Sequence, residues 1–475
     1  MTLPTVRAAG NASPNGSTAS MRVGVIGTGH VGLVTCASLA SVGHHVVGTD
    51  SDPEKIASLV NDRMPFYEPD VEGVVRRSMA ERRLSFSETS ADAVAGADVV
   101  FISVGTPPRS TGEANLAAVE LAARQVARDA TGPIVIVEKS TVPAGTADRL
   151  QRTVKLERPE LADGFDVVSN PEFLREGRAL RDAMEPDRIL VGAAAARPFD
   201  VMRRLFEPFV RNGARLIETD ITTAELAKHA CNAFLAMKIS YANAVARLCE
   251  RIGADIEAVA DVMGADPRIG RAYLGAGLGF GGYCFPKDLV AFQRLASGLN
   301  YDFRLIGEVA RINDETVEVA LDKIRDAVWN LDGKRIAVLG LAFKPGTDDV
   351  RFSPPIALAK RLLEEGAHVV GCDPHAAHNA KSECAGLEIV QDPYEAGRDS
   401  HCVVLGTDWP EYVDLDFERL GRTVASRVIV DGRNAFDPDA AARAGFLYYS
   451  MGRSIREPER STPSDRVRDP APVRG

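Results

Sequence analysis

The stretch from residue 21 to residue 50 constrains the fold most. Residues 21–26 (MRVGVI) are a short apolar run rich in β-branched side chains. Gly27-Thr28-Gly29-His30-Val31-Gly32 follows at once, then a helical pattern through Val42 that Gly43 closes, then residues 45–49 ending at Asp50. Strand, G-x-G-x-x-G, helix, strand and acid in that order make a strong dinucleotide fingerprint, where the glycines alone would be weak. The glycines permit a tight turn and let a pyrophosphate approach the helix N-terminus, whose dipole and free N–H groups favour anions. Asp50 is expected to accept hydrogen bonds from ribose hydroxyls. Ser51 and Asp52 follow it with no arginine. A 2′-phosphate there would meet negative charge, so NAD is expected over NADP.

The α/β alternation continues. Residues 53–61 read as a helix. Residues 98–104 (DVVFISV) read as a strand buried on both faces, ending at Gly105-Thr106-Pro107-Pro108. Residues 116–128 are helical. Residues 134–137 are a strand leading into Glu138-Lys139-Ser140-Thr141-Val142-Pro143. Residues 165–168 and 188–191 are further strands, the first running into residues 169–177 (SNPEFLREG). Strand-end loops are where a doubly wound sheet holds its ligands. A first α/β domain is therefore expected over residues 21–215.

Residues 222–252 differ. They are alanine-rich, lack proline and carry only Lys238 as a charge between Ala230 and Ala246. Such a helix is buried on several sides, with Thr222 as the expected N-cap and Gly253 as the stop. Lys228 and Asn232, at i and i+4, share a face. Residues 275–288 (GAGLGFGGYCFPKD) carry five glycines just before Cys284, with Lys287 and Asp288 behind it. Glycine accepts close approach and positive φ, and a nearby cation is expected to lower the thiol pKa. Residues 216–330 are read as a central helical region holding this loop. Residues 335–340 (RIAVLG) then open a second α/β domain over 331–455, with strands at 367–372, 401–406 and 428–430. Its first turn, Gly340-Leu341-Ala342-Phe343, is not G-x-G-x-x-G, so no second dinucleotide is expected. Lys344, Arg351 and Arg433 on its strand-end loops suit phosphate.

Composition narrows the function. The chain is 45% hydrophobic and 26% charged with a net charge of -10, which gives no footprint for nucleic acid or anionic membranes. No apolar run reaches the ~18 residues of a membrane span. The seven cysteines show neither CxxC nor metal-ligand spacing, so no metal is expected and free thiols in a reducing compartment such as the cytoplasm are. Residues 1–20 read as a disordered leader and 456–475 as a disordered tail.

An NAD site with a nucleophilic thiol points to alcohol oxidation carried past the aldehyde. The thiol attacks the aldehyde, the thiohemiacetal yields a second hydride, and the thioester is hydrolysed. That chemistry needs a cation for the oxyanion and a carboxylate to activate water. Lys228 with Asn232 suits the first task, and Glu172 or Asp288 the second. A one-step alcohol dehydrogenase with a structural Cys284, and a binding protein that kept only the fold, are the competing readings.

Eight segments occur in one order: G-x-G-x-x-G at 27–32, KSTVP at 139–143, SNPEFLREG at 169–177, PDRI at 186–189, AEL-x-K-x-x-x-N at 224–232, GFGGYCFPKD at 279–288, GLAFKPGTDDVR at 340–351 and DGRN at 431–434. Together they resemble the UDP-glucose/GDP-mannose dehydrogenase family over residues 21–453, and CFPKD resembles its UDP-glucose branch. The resemblance implies two Rossmann-like domains joined by a long helix at a dimer interface, or a higher homo-oligomer. It implies NAD-dependent oxidation of UDP-glucose to UDP-glucuronate, with GDP-mannose or another nucleotide sugar as the alternative substrate.

By the same resemblance Cys284 is the nucleophile, Lys228 and Asn232 stabilise the oxyanion, Asp288 and Thr106 position water, and Glu172 is the base. Gly27, Gly29, His30, Val31, Gly32, Asp50, Lys55, Thr106, Glu176, Lys287 and Arg351 are implied at the cofactor. Glu172, Phe173, Leu174, Lys228, Asn232, Phe280 and Gly281 are implied at the sugar, with Arg268 reaching a neighbouring subunit's sugar site and Lys344 and Arg433 at the nucleotide end. Two positions depart from the family pattern: Tyr283 stands where a small serine is usual, and Arg351-Phe352-Ser353-Pro354 replaces RESP.

Overall fold

The structure, a computed structural model, describes residues 20–459 together with Arg7–Ala8. Most of the expected leader, and the tail beyond residue 459, lie outside the described residues. The chain divides into two compact units. The first comprises Met1–Lys238, Gly281–Arg311 and Pro345–Arg351, and the second Ile239–Phe280, Ile312–Lys344 and Phe352–Gly475.

Among the described residues the first unit is built on nine strands: β1 (Arg7–Ala8), β2 (Arg22–Ile26), β3 (His45–Thr49), β4 (Leu84–Ser87), β5 (Val99–Ile102), β6 (Ile134–Glu138), β7 (Phe165–Ser169), β8 (Arg188–Gly192) and β9 (Arg215–Thr219). Their order is β1-β9-β8-β7-β6-β5-β2-β3-β4. The run from β4 to β7 is wholly parallel and reverses direction of travel between β2 and β5, the crevice where doubly wound sheets bind ligands. β8 turns antiparallel to β7, and β1 caps the far edge antiparallel to β9. Every residue of β5 and β6 is buried, which is why β5 and the first four residues of β6 read as apolar runs, with only Glu138 polar at the end of β6. The core lies on both faces of this sheet, with Leu33, Val34, Ala37 and Phe206 on one side and Val119, Val126, Leu150 and Val154 on the other.

The second unit repeats the scheme with six strands: β10 (Arg335–Leu339), β11 (His368–Cys372), β12 (Glu388–Val390), β13 (Cys402–Leu405), β14 (Val428–Asp431) and β15 (Leu447–Ser450). They lie parallel in the order β12-β11-β10-β13-β14-β15. Asp373, after β11, holds the place that Asp50 holds after β3. Its carboxylate already accepts five hydrogen bonds, from the N–H groups of Leu341, Ala342, His375 and Ala376 and from Trp409 Nε1. That leaves it no capacity for a ribose.

The long apolar segment is one helix, Ile221–Ile252, of 32 residues. Asp220 rather than Thr222 caps it, accepting from the N–H and hydroxyl of Thr223. Gly253, at φ +75°, ends it as expected. Residues 284 onward, read from sequence as the end of a loop, begin a helix instead, Cys284–Gly298. Pro286 sits in its first turn, where the missing N–H has no intrahelical partner to lose.

Candidate active site

The three fingerprint glycines each meet a different demand. Gly27 has φ +94°, and a Cβ there would lie 2.7 Å from the Ser103 carbonyl oxygen. At Gly32 a Cβ would stand 1.8 Å from the Gly27 oxygen, so only glycine lets helix His30–Ser41 pack against the turn. Gly29 borders open space, which leaves backbone N–H groups accessible to a phosphate. Asp50 directly follows β3 and its side chain is largely buried, with Oδ2 accepting from the Thr28 N–H at 2.8 Å and from Lys55 Nζ at 2.9 Å. Burial opposes its ionisation, but Lys55 and the N–H groups of Thr28 and Asp52 outweigh it and hold the carboxyl below its usual range. His30 stacks on Phe66 at 3.7 Å between centroids, and Val31 follows it in the first turn. These groups fit a dinucleotide: an open helix N-terminus for the phosphates and an ionised acid at the next strand end.

The second cluster gathers at the carboxyl ends of β5, β6 and β7. Glu172, in the loop after β7, lies with Oε1 3.0 Å from Lys228 Nζ. Its Oε2 accepts the Leu174 N–H at 2.6 Å. Lys228 approaches Asn232 Oδ1 at 3.4 Å, one turn along the long helix. Asn232 Nδ2 donates to Asp288 Oδ2 at 2.6 Å, and Lys287 Nζ donates to Asp288 Oδ1 at 2.7 Å. Glu172, Lys228, Asn232, Asp288 and Lys287 are all buried, so one unbroken polar chain joins three separate segments. Phe173 lies beside it, its ring centroid 5.3 Å from Lys228 Nζ and 3.9 Å from Arg188 Cζ.

The charges can be assigned. Burial disfavours the Lys228 ammonium, yet Glu172, Asp288 and Cys284 outweigh it and raise its pKa. Burial likewise opposes ionisation of Asp288, and Lys287, Lys228 and His229 overcome it, lowering the pKa. An Asp held this firmly ionised is a weak base and suits hydrogen-bonding to water better than deprotonating it.

Cys284 corrects the sequence expectation. Its thiol is pushed up to about 12, by burial first and then by Glu172 and Glu176, against the pull of Lys228. The lowered pKa expected from the nearby lysine does not arise, because desolvation and two carboxylates exceed one ammonium that Glu172 already neutralises. The thiol is thus protonated across the neutral range. Iodoacetamide should alkylate Cys284 slowly at pH 8. Because the shift is upward from 9.0 to about 12, the rate should keep rising through that interval. A plateau below pH 9, with the adduct mapped by peptide mass, would contradict this.

Thr106 is buried, and its hydroxyl donates to the Thr141 carbonyl at 3.1 Å. Thr141 itself lines a small cleft with His229, Lys287 and Asp288. Glu176 acts on the thiol and on Arg351. Arg351 pairs with Asp349, its Nη2 2.7 Å from Oδ2, and its guanidinium lies 4.4 Å from the centroid of the Tyr283 ring. Gly281 also belongs to this unit. Arg268, Phe280, Lys344 and Arg433 belong to the second unit. There Arg268 is exposed and paired with Asp266, and Lys344 lies 5.2 Å from the Phe343 ring centroid. Arg433 Nε donates to Asp408 at 2.7 Å. Leu278 N–H donates to the Gly432 carbonyl, which draws the segment before Phe280 onto the turn that carries Arg433.

Sequence reasoning assigned no role to three residues of the cluster. Lys139 donates to Asn170 Oδ1 at 3.0 Å, and burial brings its pKa down to about 8 despite Glu172. His229 is buried, Nε2 meeting the Val142 carbonyl at 2.9 Å. Thr141 completes the set. Lys139 and Thr141 stand at a strand end and inside the KSTVP segment, two signals that could have flagged them; His229 offers only its place beside Lys228.

The sequence matches three parts of one family in order: the UDP-glucose/GDP-mannose dehydrogenase family NAD binding domain over residues 21–210, its central domain over 222–315 and its UDP binding domain over 337–438. The chain belongs to the UDP-glucose/GDP-mannose dehydrogenase family. It is 43% identical over 437 residues to a UDP-glucose 6-dehydrogenase of Rhizobium meliloti, covering 91% of this chain and 100% of that one. It is 41% identical to the UDP-glucose 6-dehydrogenase TuaD of Bacillus subtilis, over 94% of this chain and 95% of the other. Among solved structures, a UDP-glucose dehydrogenase from Pyrobaculum islandicum superposes with a TM-score of 0.85 at 40% identity, over 93% of this chain and 100% of that chain. The cofactor of this family's first domain is NAD, in keeping with the Gly27–Asp50 cradle. Among the described residues no helix is long and apolar enough to cross a membrane, and no group of His, Cys, Asp or Glu is arranged to hold a metal.

Proposed function

We propose that this chain oxidises UDP-glucose to UDP-glucuronate, with two NAD reduced per sugar, through a thiohemiacetal and a thioester on Cys284. The buried chain from Glu172 to Lys287 around one cysteine, beside a dinucleotide cradle, carries this reading, and the activity named for the relatives supports it. NAD, when bound, accepts a hydride in each of the two oxidations. The residues do the rest. Lys228 and Asn232 hold the sugar oxygen as it gains negative charge. The Cys284 sulfur adds to the aldehyde carbon as its proton passes to the aldehyde oxygen, which becomes the thiohemiacetal hydroxyl held by Lys228 and Asn232. After the second oxidation, Glu172 takes a proton from water attacking the thioester. Asp288, low in pKa, orients that water with Thr106 behind the Thr141 backbone. The acid leaves and the thiol is restored.

Phe173, Leu174, Phe280 and Gly281 are proposed at the sugar, Lys344 and Arg433 at the nucleotide phosphates, and Glu176, Lys287 and Arg351 at the cofactor. Arg268, exposed on the second unit, is proposed to serve a neighbouring subunit. A homodimer is proposed along the long helix, where Phe234, Tyr241 and Leu248 recur every seven residues and all are exposed. A monomer mass by light scattering would exclude it. The seven free thiols favour a reducing compartment such as the cytoplasm, and the product suits polysaccharide synthesis.

The deciding experiment measures NADH formed per sugar, with UDP-glucose limiting and NAD in excess. A ratio near two with uronic acid formed is expected. A ratio near one would mean oxidation stops at the aldehyde. Turnover of GDP-mannose or another nucleotide sugar in place of UDP-glucose would replace the substrate but keep the chemistry.

A further inference from the structure

Arg351 is half exposed, on a flexible stem that would otherwise sample solvent. Two contacts hold it. Along one edge, Asp349 takes Nε at 2.9 Å and Nη2 at 2.7 Å in a bidentate pair. Across the face lies the Tyr283 ring, its centroid 4.4 Å from the guanidinium carbon. The backbones are tied as well: the Gly282 N–H, just before Tyr283, donates to the Arg351 carbonyl at 3.0 Å. The pair with Asp349 uses the Nε and Nη2 side of the guanidinium, so Nη1 lies on the side away from that carboxylate, where Glu176 also acts on the group through its charge. The same ring has Lys287 Nζ 5.6 Å from its centroid, and Lys287 is the end of the buried chain at Asp288. Tyr283 therefore touches two cations from separate segments and immediately precedes the nucleophile.

We propose that Tyr283 is a positioning residue for the cofactor: its ring holds Arg351 flat, with Nη1 presented to an oxygen of the bound dinucleotide. This rests on the reading that Arg351 meets NAD. A bare guanidinium held only by Asp349 could still swing about that edge, and the ring removes this freedom before the ligand arrives, so less order is lost on binding. The contribution works through the aromatic face and not through the hydroxyl.

The test measures NADH dissociation constants by fluorescence, with KM for NAD and for UDP-glucose, in four variants of the full-length enzyme. Tyr283→Leu should weaken NADH binding and raise KM for NAD about fivefold, with KM for UDP-glucose and the melting temperature nearly unchanged. Tyr283→Phe should restore wild-type values. Arg351→Ala should weaken NADH binding at least as much, and adding Tyr283→Leu to it should weaken it no further. If Arg351→Ala binds NADH normally, Arg351 does not meet the cofactor and the underlying reading fails. If Arg351→Ala weakens binding and Tyr283→Leu does not, or Tyr283→Phe is as impaired as Tyr283→Leu, the positioning role alone is overturned.

Discussion

Cys284→Ser should lower UDP-glucuronate formation by about a thousandfold or more while leaving the fold intact. Serine occupies nearly the same volume, and the side chain sits in the first turn of its helix, so little packing changes. The loss is chemical. A hydroxyl is a far weaker nucleophile than sulfur, and an oxygen ester is a poorer acyl donor to water than a thioester. The protonated state of the Cys284 thiol sharpens the expectation, because the site does not store a ready thiolate. The sulfur must be deprotonated as it attacks, which a serine oxygen would find harder still. Rapid quenching of the wild-type enzyme with UDP-glucose and NAD should trap a sugar adduct on the Cys284 peptide by mass spectrometry, and the serine variant should show none. A normal yield of acid from Cys284→Ser would remove the covalent route.

Lys228→Met should be the next most damaging change, for two separable reasons. The ammonium is the cation closest to Glu172 within the buried chain, and removing a charge that meets a developing oxyanion costs about a hundredfold to a thousandfold in kcat. It also removes the ion-pair partner of the buried Glu172 carboxylate, leaving it the Leu174 N–H and the more distant Lys139 charge, which costs about 3 kcal/mol of stability. Methionine fills the stem's volume, so the effect is of charge and not of a cavity. Circular dichroism at low temperature should show a folded protein with a lowered melting point, and kcat measured there should still be depressed. A folded Lys228→Met enzyme with kcat within about threefold of wild type would show that Lys228 serves packing alone.

Much was legible in the sequence where one physical pattern acts over short range. The β2–turn–helix–β3 unit needs a glycine at positive φ, a glycine at a helix crossing and an acid at a strand end, and each is a residue type at a fixed spacing. Buried parallel strands such as β5, and β6 up to Val137, announce themselves as apolar runs. Strands β4, β9, β12 and β15 did not, because partly exposed or polar sequences such as LSFS, RLIET and EIV, or an aromatic LYYS, carry no continuous run. The cysteine helix was hidden by its own beginning. Five glycines and Pro286 read as loop, yet proline is harmless in a first turn.

The sequence by itself therefore determined the fold class, the cofactor cradle and the residue types able to carry the chemistry. Only the tertiary structure decided how they act on one another. It joined Glu172 from a strand-end loop, Lys228 and Asn232 from the long helix and Asp288 with Lys287 from the cysteine helix into one buried chain. It inverted the expected effect on the Cys284 thiol, because a pKa depends on all charges and on the water removed around a group, and neither is set by neighbours in sequence. It turned Tyr283, a departure from the expected pattern, onto Arg351 through a contact spanning 68 residues of chain. Such contacts are made by packing at long range, and no local spacing encodes them.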